Sequence, residues 1–238
     1  MSTQEEELET LKRFIKNYGM PIVVGLALAL AVFSGWRYWQ SSRFEQAAQA
    51  ATVFREMMSA VQRSQLNVED KAASTEVQRL GKTLKEDYAK TPFALNAAML
   101  LARQAADRGD FKEAEKQLRW ALEQKPGEAE RLLVTTRLAR VLAAQKQYDP
   151  ALALLDKEND TGFRPTIEEL KGDIYHARGK LPEARKAYAA AALALQARAE
   201  RRPILELKMA DVGLAPLEPG KGEAGQQGGL AGTETPSS

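Results

Sequence analysis

The chain has one histidine and no cysteine in 238 residues, which removes most of the chemistry a protein of this size can do. His176 has no second histidine or thiolate to join it, so a usual zinc site cannot be assembled. It follows Tyr175 in a helical pattern, where a lone histidine serves packing or a solvated face. Glu168 and Glu169 are consecutive, point to different faces of a helix, and make a poor acid–base pair. Ser34, Ser41 and Ser42 have no basic partner nearby in sequence to activate a hydroxyl. The glycines from Gly225 to Gly232 are followed by neither Lys-Ser nor a helical pattern, so they do not form a phosphate loop. The missing cysteine also excludes structural disulfides, thiol catalysis and an acylated-cysteine anchor. No catalytic, metal-binding or cofactor-binding set is expected, and therefore no enzyme.

The remaining chemistry is recognition by helix faces. Between Ser41 and Ala210 apolar residues recur at three- and four-residue steps, and alternating strand patterns are absent. Phe44, Ala47, Ala48, Ala51, Phe54, Met58 and Val61 are expected on one helix face. Ala73, Val77, Leu80, Leu84 and Tyr88 are expected on a second helix. From Phe93 the chain becomes self-similar. Gly109-Asp110-Phe111-Lys112-Glu113-Ala114, then Leu118, Ala121-Leu122 and Pro126, follow Leu101-Ala102 and Ala105. Leu138-Ala139, Leu142, Tyr148, Ala151 and Leu155 repeat the pattern, with Lys146 at the turn glycine and Pro150 near a helix start. Gly172, Tyr175, Gly179, Leu181, Glu183-Ala184, Tyr188 and Ala191 repeat it again. This resembles the tetratricopeptide (TPR) repeat. The glycine permits the tight turn between helices, the alanines allow a close crossing, and the proline stops the second helix. The helices between Ser41 and Lys90 are expected to act as a degenerate repeat or cap, and Ile204–Ala210 as a short closing helix.

Such helix pairs stack into a solenoid with a concave face. In the TPR register the inward face carries Asn96, Met99 and Arg103, then Leu133, Thr136 and Arg140, then Glu169, Asp173 and His176. This groove mixes acid and base. It lacks the Lys/Asn arrangement with which TPR co-chaperones clamp a terminal carboxylate, so that ligand class is not expected. Met57, Met58 and Met99 are expected as core filler.

One segment has a different solvent. Met20 to Trp36 carries no charge, and 17 residues span roughly 26 Å as a helix, against roughly 30 Å of bilayer hydrocarbon. Extension to Trp39 supplies the missing turn. Trp36, Tyr38 and Trp39 suit an interfacial belt. The bulky close and the lack of an early small-x-small triplet argue against a cleaved signal peptide. Lys12, Arg13 and Lys16 precede the run and Arg37 and Arg43 follow it, a balance that slightly favours a cytoplasmic amino terminus. Within the run Ala27, Ala31 and Gly35 recur every four residues, a spacing that lets another membrane helix approach closely.

The expected organisation is all-α, with one amino-terminal transmembrane helix followed by a TPR-like solenoid of helical hairpins. Residues 1–18 form a short cytoplasmic segment, 19–39 the span, 40–210 the repeat domain, and 211–238 a disordered tail. From Gly213 the tail holds seven glycines with Pro216, Pro219 and Pro236, too little apolar surface to offset the entropy of ordering. Net charge is +2 with both signs interspersed, which gives no nucleic-acid signature.

Several stretches carry a family resemblance. Leu11-Lys12-Arg13-Phe14-Ile15-Lys16-Asn17-Tyr18-Gly19 leads into the Gly-containing apolar run. Gly35-Trp36-Arg37-Tyr38-Trp39 closes it, and Leu138-Ala139-Arg140-Val141 and Leu170-Lys171-Gly172-Asp173 lie in the repeats. Over about Glu6 to Gly213 the chain resembles the YfgM-like family, the ancillary subunits of the SecYEG translocon in Gram-negative bacteria. The Lys-Arg-Phe and Gly-Trp-Arg-Tyr-Trp junctions are the specific parts. The resemblance implies an inner-membrane protein with a cytoplasmic amino terminus and a periplasmic TPR domain. It implies as partners the SecYEG translocon, a membrane-anchored periplasmic prolyl isomerase and chaperone network, and translocating polypeptides, beside the lipid bilayer. It supplies no catalytic residues. The Gly/Pro-rich tail departs from the compact members of the family. Two other scaffolds fit the same pattern: a TPR assembly factor for cytochrome c maturation, and a regulator whose segment Met1–Tyr18 holds a cytosolic signalling protein.

Overall fold

The computed structural model describes residues 2–67 and 71–215, with the side chains at 2–19, 21–23 and 26–27 outside the description. The described residues are helical, without a strand. They divide between Ala98 and Met99 into two compact units.

In the first unit α1 (Ser2–Leu66) packs on α2 (Lys71–Asp87), and the unit ends in the first part of α3 (Pro92–Asp107). Helix α1 is continuous from the apolar run into the domain, because no glycine or proline lies between Trp36 and Leu66 to interrupt it. Helix α2 buries Ala73, Val77, Leu80, Gly81 and Leu84, the face its periodicity requires. The buried side of α1 is turned from the expected one. Ala50, Met57 and Ala60 are buried, whereas Phe44 is 76% and Met58 44% exposed; Val61 is buried as expected, and Ala47, Ala51 and Phe54 are half-buried. Two apolar stripes run side by side here, and α2 covers only one of them. The rings of Phe54 and Phe93 stand 5.7 Å apart and tie α3 to α1.

Among the described residues no helix is long and apolar enough to cross a membrane. The expected span, 19–39, includes side chains outside the description. The described side chains of this stretch are exposed, including Leu28, Leu30, Val32, Phe33, Trp36 and Trp39. The tail from residue 216 onward lies outside the described residues.

In the second unit the remainder of α3 is followed by α4 (Phe111–Glu123), α5 (Glu128–Ala144), α6 (Tyr148–Leu155), α7 (Arg164–Ala177), α8 (Leu181–Gln196) and α9 (Pro203–Asp211). From α4 onward each helix packs on the next, and α5 also touches α7. The core is one row of side chains: Leu118 on α4, Leu138 and Leu142 on α5, Leu155 on α6, Ile174 on α7, Tyr188 on α8, then Leu205 and Met209. Prolines stand in the first turns of α7, α8 and α9, where their missing N–H is not needed.

The repeat is visible in the turns. Gly109, Lys146 and Gly179 all have positive φ, at 78°, 62° and 77°. Each is followed by a residue whose N–H reaches back to close the preceding helix: Asp110 to the Ala105 carbonyl, Gln147 to Leu142 and Lys180 to Tyr175. This is the Schellman closure. Ala199 and Gly213 use it again, with Glu200 bonding Leu195 and Leu214 bonding Met209. Lys146 and Ala199 hold a left-handed backbone without being glycine, which strains them.

The third hairpin depends on a missing side chain. A Cβ at Gly172 would lie 2.4 Å from the ring of Tyr188. Ala102 and Ala139 hold the corresponding place in the first two repeats, and the matching residues of α4 and α6 are Leu118 and Leu155. Glycine replaces alanine where tyrosine replaces leucine.

Lys146→Gly is therefore expected to stabilise the protein by about 0.5–1 kcal/mol, the relieved strain less the added chain entropy. Gly172→Ala is expected to destabilise it by about 1–3 kcal/mol through overpacking. Thermal unfolding checks both. A Gly172→Ala midpoint equal to that of the parent would mean that the ring moves aside freely.

Candidate partner-binding surface

The nine residues expected on the inward face fall into three situations. Asn96 is exposed and belongs to the first unit. Of those in the second unit, Met99 and Thr136 are buried and Leu133 is half-buried. The Thr136 hydroxyl donates to the Leu133 carbonyl at 3.0 Å. These positions build α3 and α5 rather than offer open polar surface. Arg103 and Arg140 are exposed.

The third-repeat residues are already engaged, by α9. Glu169 is only 8% exposed. Its carboxylate accepts from the Arg202 guanidinium at 2.5 Å and from the Lys208 ammonium at 2.8 Å. Lys208 also donates to Asp173 at 2.8 Å, and the Tyr188 hydroxyl donates to Asp173 at 3.0 Å. His176 Nε2 lies 3.3 Å from the Asp211 carboxylate. The apolar side of α9 explains its position. Leu205, Met209 and Val212 are buried in a cluster with Ala184, Tyr188, Ala191 and Leu195 of α8. Arg185 Nε donates to the Val212 carbonyl at 2.5 Å and pins the end.

Electrostatics follow from this geometry. Burial alone would raise the Glu169 carboxyl, but hydrogen bonds from Lys208 and Arg202 outweigh it and hold the carboxyl below its ordinary value. Burial alone would lower Lys208, but the hydrogen bonds to Asp173 and Glu169 keep it above the ordinary lysine value. Burial pushes the Tyr188 phenol up, and the Asp173 charge adds to this.

The basic side of the surface is different. Arg137, one turn before Arg140 on α5, was not among the expected residues. Desolvation lowers its pKa from the ordinary arginine value, and the charges of Arg140 and Arg103 push the same way. Arg103 has an exposed ion pair with Asp107 at 3.7 Å, worth little. Among the described residues Arg137 and Arg140 have no ion pair. The Arg137–Arg140 spacing of three was the sequence signal for this cluster. Of the expected membrane packing face, Ala31 and Gly35 are exposed, a Cβ at Gly35 would meet nothing within 4 Å, and the Ala27 side chain lies outside the described residues.

These helical hairpins, closed by repeated left-handed turns and bearing charged helix faces, define a TPR-like repeat protein, a class that works through contact surfaces. Two comparisons bear this out, and a third places the chain among known relatives. A family model for the tetratricopeptide repeat-like domain matches residues 12–214. Nearly identical TPR-like repeats from Podosopora anserina, in a solved structure 21% identical to this chain, superimpose with a TM-score of 0.54, covering 66% of this chain and 84% of that one. Among characterised relatives, the ancillary SecYEG translocon subunit of Neisseria gonorrhoeae is 30% identical over 87% of this chain and 95% of its own length. The proteins of the same name from Haemophilus influenzae and Escherichia coli are 30% and 28% identical, over 78% and 79% of this chain and 86% of their own length. The chain belongs to the tetratricopeptide repeat-like domain family and to the family of ancillary SecYEG translocon subunits.

Because Glu169 titrates low, its contribution to the docking of α9 is complete above the ordinary carboxylate value. It is lost as pH falls through the depressed folded value. Lys208 titrates high, so its contribution is complete below the ordinary lysine value and is lost only as pH rises through the raised one. Protection of the 203–211 amides against hydrogen exchange, corrected for the intrinsic slowing of exchange in acid, is expected to fall as the pH drops below the ordinary glutamate range. Glu169→Gln is expected to remove most of that acid dependence. An acid response unchanged by the substitution would place its origin elsewhere.

Proposed function

We propose that this chain is a membrane-anchored TPR adaptor that works beside the SecYEG translocon and links emerging polypeptides to the periplasmic chaperone network, a membrane-anchored prolyl isomerase among its contacts. In this reading residues 1–18 are cytoplasmic, 19–39 span the inner membrane, 40–210 form the periplasmic repeat domain, and 211–238 are a tail without an assigned role. The role is one of binding rather than catalysis. The observation that carries it is family membership along nearly the whole length of a translocon subunit. The outward-facing apolar surface of α1 supports the anchor. Its described side chains from Leu28 to Trp36 are exposed around the helix, and a helix apolar all round needs a non-aqueous partner. Tethering raises the effective concentration of the repeats for chains leaving the channel.

Affinity capture of this chain from membranes in mild detergent is expected to recover the SecYEG channel. Recovery of cytochrome-maturation proteins, or of a cytosolic regulator alone, would replace the translocon by one of those partners. Ala31→Leu, on the small-residue face of the span, is expected to reduce channel recovery severalfold while leaving the chain in the membrane fraction. Undiminished recovery would remove that face from the interface.

A further inference from the structure

Helix α1 carries a cavity that the adaptor reading does not use, beside the apolar face that it uses only as an anchor. The cavity, of about 870 Å³, lies between α1 and the connection from α2 to α3. Trp36, Trp39 and Phe44 form its apolar wall, Arg43 and Lys90 bring two positive charges, and Ser42 adds a hydroxyl. Among the described residues no carboxylate lines it, and neither cation has an ion pair. The Arg43 guanidinium lies instead over the Trp39 ring, 4.6 Å from its centroid. Beside it, the open face of α1 carries an apolar patch of Leu28, Ala29, Val32, Phe33 and Trp36. Trp36 belongs to both, so a cationic cavity leads onto an apolar face of the same helix.

We infer that this paired surface holds one anionic phospholipid, its phosphate between Arg43 and Lys90 and an acyl chain along Leu28 to Trp36. The inference rests on the membrane anchoring proposed above. The heights agree. Arg43 lies two turns beyond Trp36, roughly 10 Å along the axis, and the headgroup layer is roughly 5–8 Å deep on each side of the hydrocarbon. An arginine stem bends over that difference. The charges select the headgroup. An anionic lipid leaves no group unpaired, whereas the ammonium of a zwitterionic lipid would face two cations and no carboxylate. The apolar face selects a lipid over free phosphate, since a small anion gains nothing from Leu28, Val32 and Phe33.

The test uses the full chain, extracted in mild detergent and placed in nanodiscs of equal phosphatidylglycerol and phosphatidylethanolamine. Native mass spectrometry then counts the lipids that stay bound. The parent chain is expected to retain phosphatidylglycerol in preference. Arg43→Gln with Lys90→Gln is expected to weaken that retention roughly tenfold or more, with helix content unchanged. Trp36→Ala, which leaves the charge intact, is expected to weaken it as well. Equal retention of the two lipids, or a double variant that binds like the parent, overturns the site. Displacement of the lipid by excess inorganic phosphate as readily as by phosphatidylglycerol makes it a small-anion site and overturns the lipid assignment. Release of the parent chain from membranes by alkaline carbonate overturns the anchoring and this site with it. Stable anchoring without lipid preference overturns the site alone.

Discussion

The contact of Tyr188 with the backbone at Gly172 governs the carboxy-terminal half of the second unit. The ring lies where a Cβ would stand, so α7 and α8 cross closely at that point. The phenol then reaches Asp173, one residue along, and fixes it. Asp173 shares the Lys208 ammonium with Glu169, and Glu169 also holds Arg202. Both cations come from α9 or the residue before it. The helix that closes the stack is therefore oriented by a chain of contacts that starts at one absent methyl group. Dispersion and apolar burial hold α9 against α8 through Leu205, Met209 and Val212, and the ion network fixes where along α7 it sits.

Such a network is costly to break and modest in net worth. Placing carboxylates and ammonium groups in partly buried positions costs solvation that their attraction only just returns. Removing one member leaves the others exposed to the full penalty. The network thus specifies a position for α9 more than it stabilises the fold. It also changes the surface. The acidic part of the inward face is consumed internally, while Arg137 and Arg140 are left without an ion pair among the described residues. A face that reads as mixed in sequence presents itself as basic near α3 and α5.

The repeats were legible because their signals are local. Gly109 and Gly179 mark turns that need a left-handed residue, and the alanine and proline positions recur in register. Lys146 was legible only as an exception. Its backbone takes the glycine conformation because the flanking helices and the Gln147–Leu142 bond impose it. The phase of α1 was less accessible. Ala51 with Met58 and Ala50 with Met57 are equally good stripes, and the choice is made by α2, which the periodicity of α1 cannot specify. The partners of Glu169 and Asp173 were hidden for a similar reason. Their cations, Arg202 and Lys208, lie more than thirty residues away, just before and within a short helix whose apolar pattern, Leu205, Met209 and Val212, gives little warning of where it will dock.

The continuity of α1 bears on how an anchored adaptor would work. A flexible linker would let the repeats search a wide volume at an effective concentration that falls with linker length. Helix α1 has neither glycine nor proline between Trp36 and Leu66, so the stretch after Trp39 continues as helix for roughly 40 Å. With the anchor proposed for 19–39, α2 would be carried on a stiff post rather than a leash. Rotation of the post about its own axis would then set which face of the first unit meets the channel. A lipid held at Arg43 and Lys90, or a partner helix against Ala31 and Gly35, would each restrict that rotation. The small-residue face lies directly before the cationic cavity on one helix, so a contact at either one limits the orientations left to the other.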